Sequence, residues 1–173
     1  MDQIEELLFA FRSARPTGPY RQAYPDKIGA IKALEHSDDK RVLQFFLSVI
    51  ADTNEYDLAR IEILKILDLR DYTPEGHATV GRAIMHLLDD QDDGVRNYAI
   101  ITMREFMQVD GAPEAISKAL LDPDEDITIR SSALGSLHRL GPNDHTIGTL
   151  KALLSDDEFR PDAIRILNEW QVL

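Results

Sequence analysis

Apolar residues recur along the chain at helical spacing, and one six-position pattern is written three times. Asp92, Val95, Arg96, Ala99, Met103 and Phe106 return as Asp126, Ile129, Arg130, Ala133, Leu137 and Leu140. They return again as Asp156, Phe159, Arg160, Ala163, Leu167 and Trp170, the successive shifts being 34 and 30 residues. Within each copy the apolar positions lie three or four residues apart, which is one stripe of a 3.6-residue helix. A degenerate copy, Tyr56, Ala59, Arg60, Ile63 and Leu67, places its arginine 36 residues before Arg96. It lacks the aspartate, and Arg70 stands at its last apolar position.

The stripes predict helices over 55–69, 93–108, 126–140 and 157–171. Each is preceded by a partner helix, predicted at 38–52, 75–89, 112–122 and 144–155. The pair Leu87-Leu88 recurs there as Leu120-Leu121 and Leu153-Leu154. Pro74 and Pro113 suit the first turn of a helix, where a missing N–H costs nothing, and Gly111 and Gly141-Pro142 suit helix ends. An amphipathic stretch from Ile4 to Ala14 predicts an N-terminal helix that Arg15-Pro16-Thr17-Gly18-Pro19 terminates. Helical pattern resumes at Asp26, with Ile28, Ile31 and Leu34 on its buried face. No run alternates apolar and polar residues in the manner of a strand, so the expected class is all-α. Helix pairs recurring every 30 to 36 residues point to stacked hairpins.

Composition narrows the partners. Of 173 residues, 31 are acidic and 19 basic, giving a formal charge of −12. That balance opposes nucleic-acid binding, which needs surplus Lys and Arg, and suits capture of a basic protein. Cysteine is absent, which excludes disulfides, thiolate catalysis and cysteine-type zinc sites. No apolar run approaches the length of a membrane span, and the first residues lack a signal-peptide pattern, so the expectation is a cytoplasmic protein.

The segments Asp92-Asp93-Gly94-Val95-Arg96-Asn97-Tyr98-Ala99, Asp126-Ile127-Thr128-Ile129-Arg130-Ser131-Ser132-Ala133 and Asp156-Asp157-Glu158-Phe159-Arg160-Pro161-Asp162-Ala163 carry a family resemblance. Each follows the leucine-rich end of a preceding helix. In this the chain resembles HEAT-like repeat proteins, in particular the short-repeat kind related to phycobilisome lyase repeats. The resemblance implies a right-handed α-solenoid of about four antiparallel helix hairpins, with one or two further helices at the N-terminus. Residues 1–173 would form one domain, with 1–37 as a cap and 38–173 as repeats. It further implies that the aligned Asp and Arg residues pair between repeats and that the second helices line the inner surface.

That arrangement nominates two surfaces. On the inner face the positions beside the buried stripe are Lys65, Asn97, Ile101, Arg104, Ser131, His138 and Arg165, with Gly135 and Asn168 alongside. Along one edge, the turns inside successive hairpins gather an acidic rim that includes Asp89, Asp90, Asp93, Asp124, Glu125 and Asp157. Tyr20 and Tyr24 are candidate contact aromatics in the irregular N-terminal loop. Asp122-Pro123-Asp124-Glu125-Asp126 begins like a calcium loop but lacks the glycine at its sixth position and the final bidentate Glu. The five histidines show no metal-ligand spacing, and Ser131-Ser132 have neither a glycine elbow nor an obvious base. The expected function is therefore non-catalytic protein binding without cofactor, as an acidic inhibitor, immunity protein or adaptor facing a basic protein partner. A bilin lyase-like or other HEAT-fold enzyme acting at the inner face is the alternative.

Overall fold

The computed structural model describes residues 2–15 and 25–173, so Tyr20 and Tyr24 lie outside the described residues. Among the described residues the chain is all-helical, without strands. It groups into two compact units, Met1–Thr73 and Pro74–Leu173.

The first unit contains α1 (Gln3–Ser13), α2 (Pro25–Leu34), α3 (Lys40–Ala51) and α4 (Asp57–Asp68). Asp2 and Glu5 open α1 as a reciprocal cap, each carboxylate accepting the other residue's backbone N–H at 2.8 and 3.0 Å. Helix α1 packs on α2, α2 on α4, and α3 on α4. Their shared core includes Ile31, Leu34, Phe46, Ile50, Ile63 and Leu67, with Phe11 meeting Phe45 edge-on at 4.9 Å. Arg70, the polar intruder in the degenerate copy, donates to the carbonyls of Glu35 and Ser37 at 3.1 and 2.7 Å. It thereby closes the chain just beyond α2, a use that its place in the apolar pattern conceals.

The second unit contains α5 (Pro74–Met85), α6 (Asp93–Met103), α7 (Ala112–Leu121), α8 (Ile127–Leu140), α9 (Asp144–Ala152) and α10 (Arg160–Glu169). Helix α6 packs on α5 and α8, α7 on α8 and α9, and α10 on α9. The stripe residues of the three strong copies are buried, apart from half-buried Leu140 and Trp170. At Gly81 the close approach requires glycine, because a Cβ there would meet Val109 Cγ2 at 2.6 Å and Phe106 Cβ at 3.1 Å.

The helix ends depart from the sequence reading in two ways. The final turns after α5, α6 and α9 tighten into 3-10 turns at His86–Asp89, Arg104–Phe106 and Leu153–Ser155. Such tightening reaches carbonyls that a helix end otherwise leaves unpaired. Helix α10 starts at Arg160 rather than near 157, which places Pro161 in its first turn, where its missing N–H is harmless.

Candidate functional site

Four arginines define the hairpins. Arg60, Arg96, Arg130 and Arg160 sit in the first turns of α4, α6, α8 and α10, and each reaches back to the end of the helix before it. Arg60 donates twice to the Ile50 carbonyl at 3.1 Å, and Arg130 donates to the Leu120 carbonyl at 2.9 Å. Arg96 donates to the Asp90 carbonyl and Arg160 to the Leu154 carbonyl, both at 2.8 Å. A C-terminal helix carbonyl carries partial negative charge and lacks an intrahelical donor, so a guanidinium there both completes the hydrogen bond and matches the dipole. The principal role of the repeated arginine is thus closure of its own hairpin.

Arg96 and Arg130 also reach the next hairpin. Arg96 forms a two-point pair with Glu125, Nε and Nη2 each donating at 2.8 Å. Arg130 donates to Asp156 and lies over the Phe159 ring, 4.5 Å from its centroid. The pairing differs from a simple ladder of aligned aspartates: Arg96 uses Glu125, whereas Asp126 accepts the Thr128 amide at 2.7 Å. Arg160 instead pairs with Asp157, three residues earlier in its own segment, at 2.6 Å. Hydrogen bonding to arginine holds the Glu125 and Asp156 carboxyls below their usual range, and the Thr128 amide does the same for Asp126.

These commitments sort the rim acids. Glu125 and Asp157 are held in the pairs just described, and Asp89 accepts from Lys118 Nζ at 2.8 Å. Asp90 is half-buried and accepts the Asp92 amide at 3.0 Å, so it shapes its turn. Asp93 and Asp124 are exposed and meet no cation in an ion pair among the described residues, Asp93 accepting only the adjacent Gly94 amide. Asp122 and Glu158 share that state, although spacing alone gave them no more weight than their neighbours.

The nominated inner-face residues fall in both units. Lys65 lies in the first, exposed and 3.5 Å from Glu62. In the second, Asn97 accepts from Ser132 at 2.8 Å, joining α6 to α8, while Ser131 bonds back to the Ile127 carbonyl at 2.7 Å. Ile101 is half-buried, and its carbonyl accepts from Arg104 Nε at 2.9 Å. His138 Nε2 lies 3.1 Å from Glu169, with its ring 5.9 Å from that of Trp170. Arg165 pairs with Asp162 at 2.9 Å. These side chains are largely engaged with near neighbours in their own unit.

Sequence spacing missed one hydroxyl–imidazole contact: Ser117 Oγ lies 2.8 Å from His145 Nε2, and Thr149 donates to Ser117 at 3.1 Å. Ser117 is only 5% exposed, so its hydroxyl faces the α7–α9 seam and satisfies buried polar groups there. Two of the clefts on the second unit border α5. One, of about 310 Å³, includes Met85, Leu88, Asp89, Lys118 and Asp122. The other, of about 410 Å³, runs between one face of α5 and residues 108–110. Among the described residues, no group of three or more metal-ligating side chains converges, and no helix is long and apolar enough to cross a membrane. No protein-family model and no curated protein matches the chain.

Proposed function

We propose that this chain is a non-catalytic HEAT-like repeat module, its hairpins stacked as a right-handed α-solenoid, that binds a basic protein partner in a cytoplasmic setting. The observation carrying this reading is the distribution of unspent acid. Residues 74–173 hold 18 acidic side chains against 9 basic ones, nine of the chain's twelve net negative charges. Within the hairpin turns the caps and arginine pairs use some carboxylates, and Asp93, Asp122, Asp124 and Glu158 remain exposed without an ion-pair partner. Such surplus charge raises the encounter rate with a basic surface and sets orientation more than final affinity. A stable, helix-paired framework suits presentation of that charge in the manner of an inhibitor or adaptor.

The test starts with capture from native lysate at low salt, followed by titration of the purified basic partner against the full chain at several salt concentrations. Asp93→Lys, Asp124→Lys and Glu158→Lys together reverse charges that hold no ion pair, Asp93 alone giving up a bond to the Gly94 amide, and circular dichroism checks that the variant keeps its helices. Association is expected to slow by tenfold or more at low salt, on the order seen when steering is lost, with a flatter salt dependence. Equal reversals at Glu6, Asp26 and Asp71 supply the charge-matched control. Unchanged kinetics in the first variant, or the same loss in the control, would refute binding through these turns.

A further inference from the structure

The larger cleft has a chemistry of its own. Its wall on α5 comprises Pro74, Ala78, Arg82 and Met85, and Val109 and Asp110 face them from the turn before α7. These α5 positions recur at helical spacing and so share one face. His77 also lines it, with its ring fixed: Nε2 donates to the Glu105 carbonyl at 2.8 Å while the ring lies 4.6 Å from that of Phe106. Gly81 lets α5 approach Val109, itself a lining residue, more closely than a side chain would allow. At about 410 Å³ the space falls within the range of small-molecule sites, which are mostly apolar with a few polar groups that fix orientation.

The decisive group is Arg82. Among the nine cationic side chains of this unit, Arg96, Lys118, Arg130, Arg139, Arg160 and Arg165 each hold a carboxylate. Arg82 holds none among the described residues, nor do Arg104 and Lys151, but of these three it is Arg82 that lines the apolar cleft, in a unit where acids outnumber bases two to one. We propose that this cleft binds a small amphiphilic monocarboxylate, its carboxylate on Arg82 and its apolar body against Ala78, Met85 and Val109. Guanidinium matches a carboxylate in a planar two-point pair. Asp110 on the opposite wall repels a second negative charge and so selects a monoanion.

The probe is a series of straight-chain carboxylates from butanoate to octanoate, kept below micelle-forming concentrations and titrated into the full chain labelled at its methionine methyls and backbone amides. Saturable shifts are expected at Met85, Ala78 and Val109, with affinity rising along the series. Arg82→Gln is expected to weaken octanoate about tenfold or more, the scale of a lost charge-assisted hydrogen bond. Lys151→Gln, which removes an equal charge elsewhere, is expected to leave binding unchanged, and octylammonium is expected not to bind. Shifts scattered over other apolar surfaces, equal loss in both variants, or equal binding of the ammonium would overturn the assignment. None of these outcomes depends on the basic protein partner.

Discussion

Arg130→Met is the sharpest test of the hairpin closure. Arg130 is 6% exposed, and methionine keeps much of its apolar stem while removing the guanidinium. The Leu120 carbonyl then loses its donor in a buried setting, a cost of about 1–3 kcal/mol, and the stacking over Phe159 loses about 0.5–1 kcal/mol more. Asp156 is not orphaned, because it still accepts the amides of Glu158 and Phe159 at 3.0 and 3.1 Å. The net expectation is a loss of about 2–4 kcal/mol, below the value for stranding a fully buried ion. Arg160 makes the corresponding carbonyl contact with its side chain 47% exposed, so Arg160→Met should cost under about 1 kcal/mol. Urea unfolding followed through Trp170, the chain's single tryptophan, reports on the unit that contains both sites. A double-mutant cycle should show Arg130→Met coupled with Asp156→Asn. Equal losses at Arg130 and Arg160, or a loss below about 1 kcal/mol at Arg130, would refute the assignment of the buried clamp as a main stabiliser.

Glycine substitutions should split by environment. Gly81→Ala should destabilise by about 1–3 kcal/mol through overpacking, whereas Gly135→Ala, in α8 with nothing within 4 Å of its Cβ position, should stabilise by about 0.5–1 kcal/mol; thermal or urea midpoints distinguish them. Acid should weaken the second unit through Glu125 and Asp156. Their carboxyls titrate lower in the folded chain than in the unfolded one, so their contribution is complete above the ordinary carboxylate range and is lost as pH falls through the depressed folded values. Stability should therefore be level from about pH 7 to 5 and decline below about pH 4, and Arg96→Gln should flatten that decline in pH-dependent unfolding.

Helix order was legible in the sequence because each amphipathic stripe has to be buried, and residues such as Ala99, Ala133 and Ala163 leave little choice of face. Boundaries were less legible where backbone chemistry competes with the stripe. Pro161 delays α10, and the 3-10 turns after α5, α6 and α9 interrupt an apolar pattern that continues through them. The arginines illustrate the further limit. Their recurrence marks a structural role, but the acceptor is a backbone carbonyl, which has no sequence signature and lies ten residues back from Arg60 and Arg130 but six from Arg96 and Arg160. The unspent acids were hidden for a related reason. Asp92, Asp124 and Glu125 look alike in a row of carboxylates, and only placement distinguishes a cap, a solvent-facing charge and an arginine partner. The Arg82 cleft gave no signal at all, since it depends on residues 108–110 meeting a helix some thirty positions earlier.

Because each arginine fastens to the end of the helix before it, closure does not depend on one loop length. The same joint works at a spacing of ten or of six residues, with the 3-10 turn taking up the difference after α5 and α9. A lineage carrying this joint can lengthen or shorten its turns, and re-charge the positions that hold neither a cap nor an arginine pair, by small genetic steps while the hairpin behind them keeps its shape. At those positions the chemistry of the exposed turn can change without a matching change in the joint that closes the hairpin.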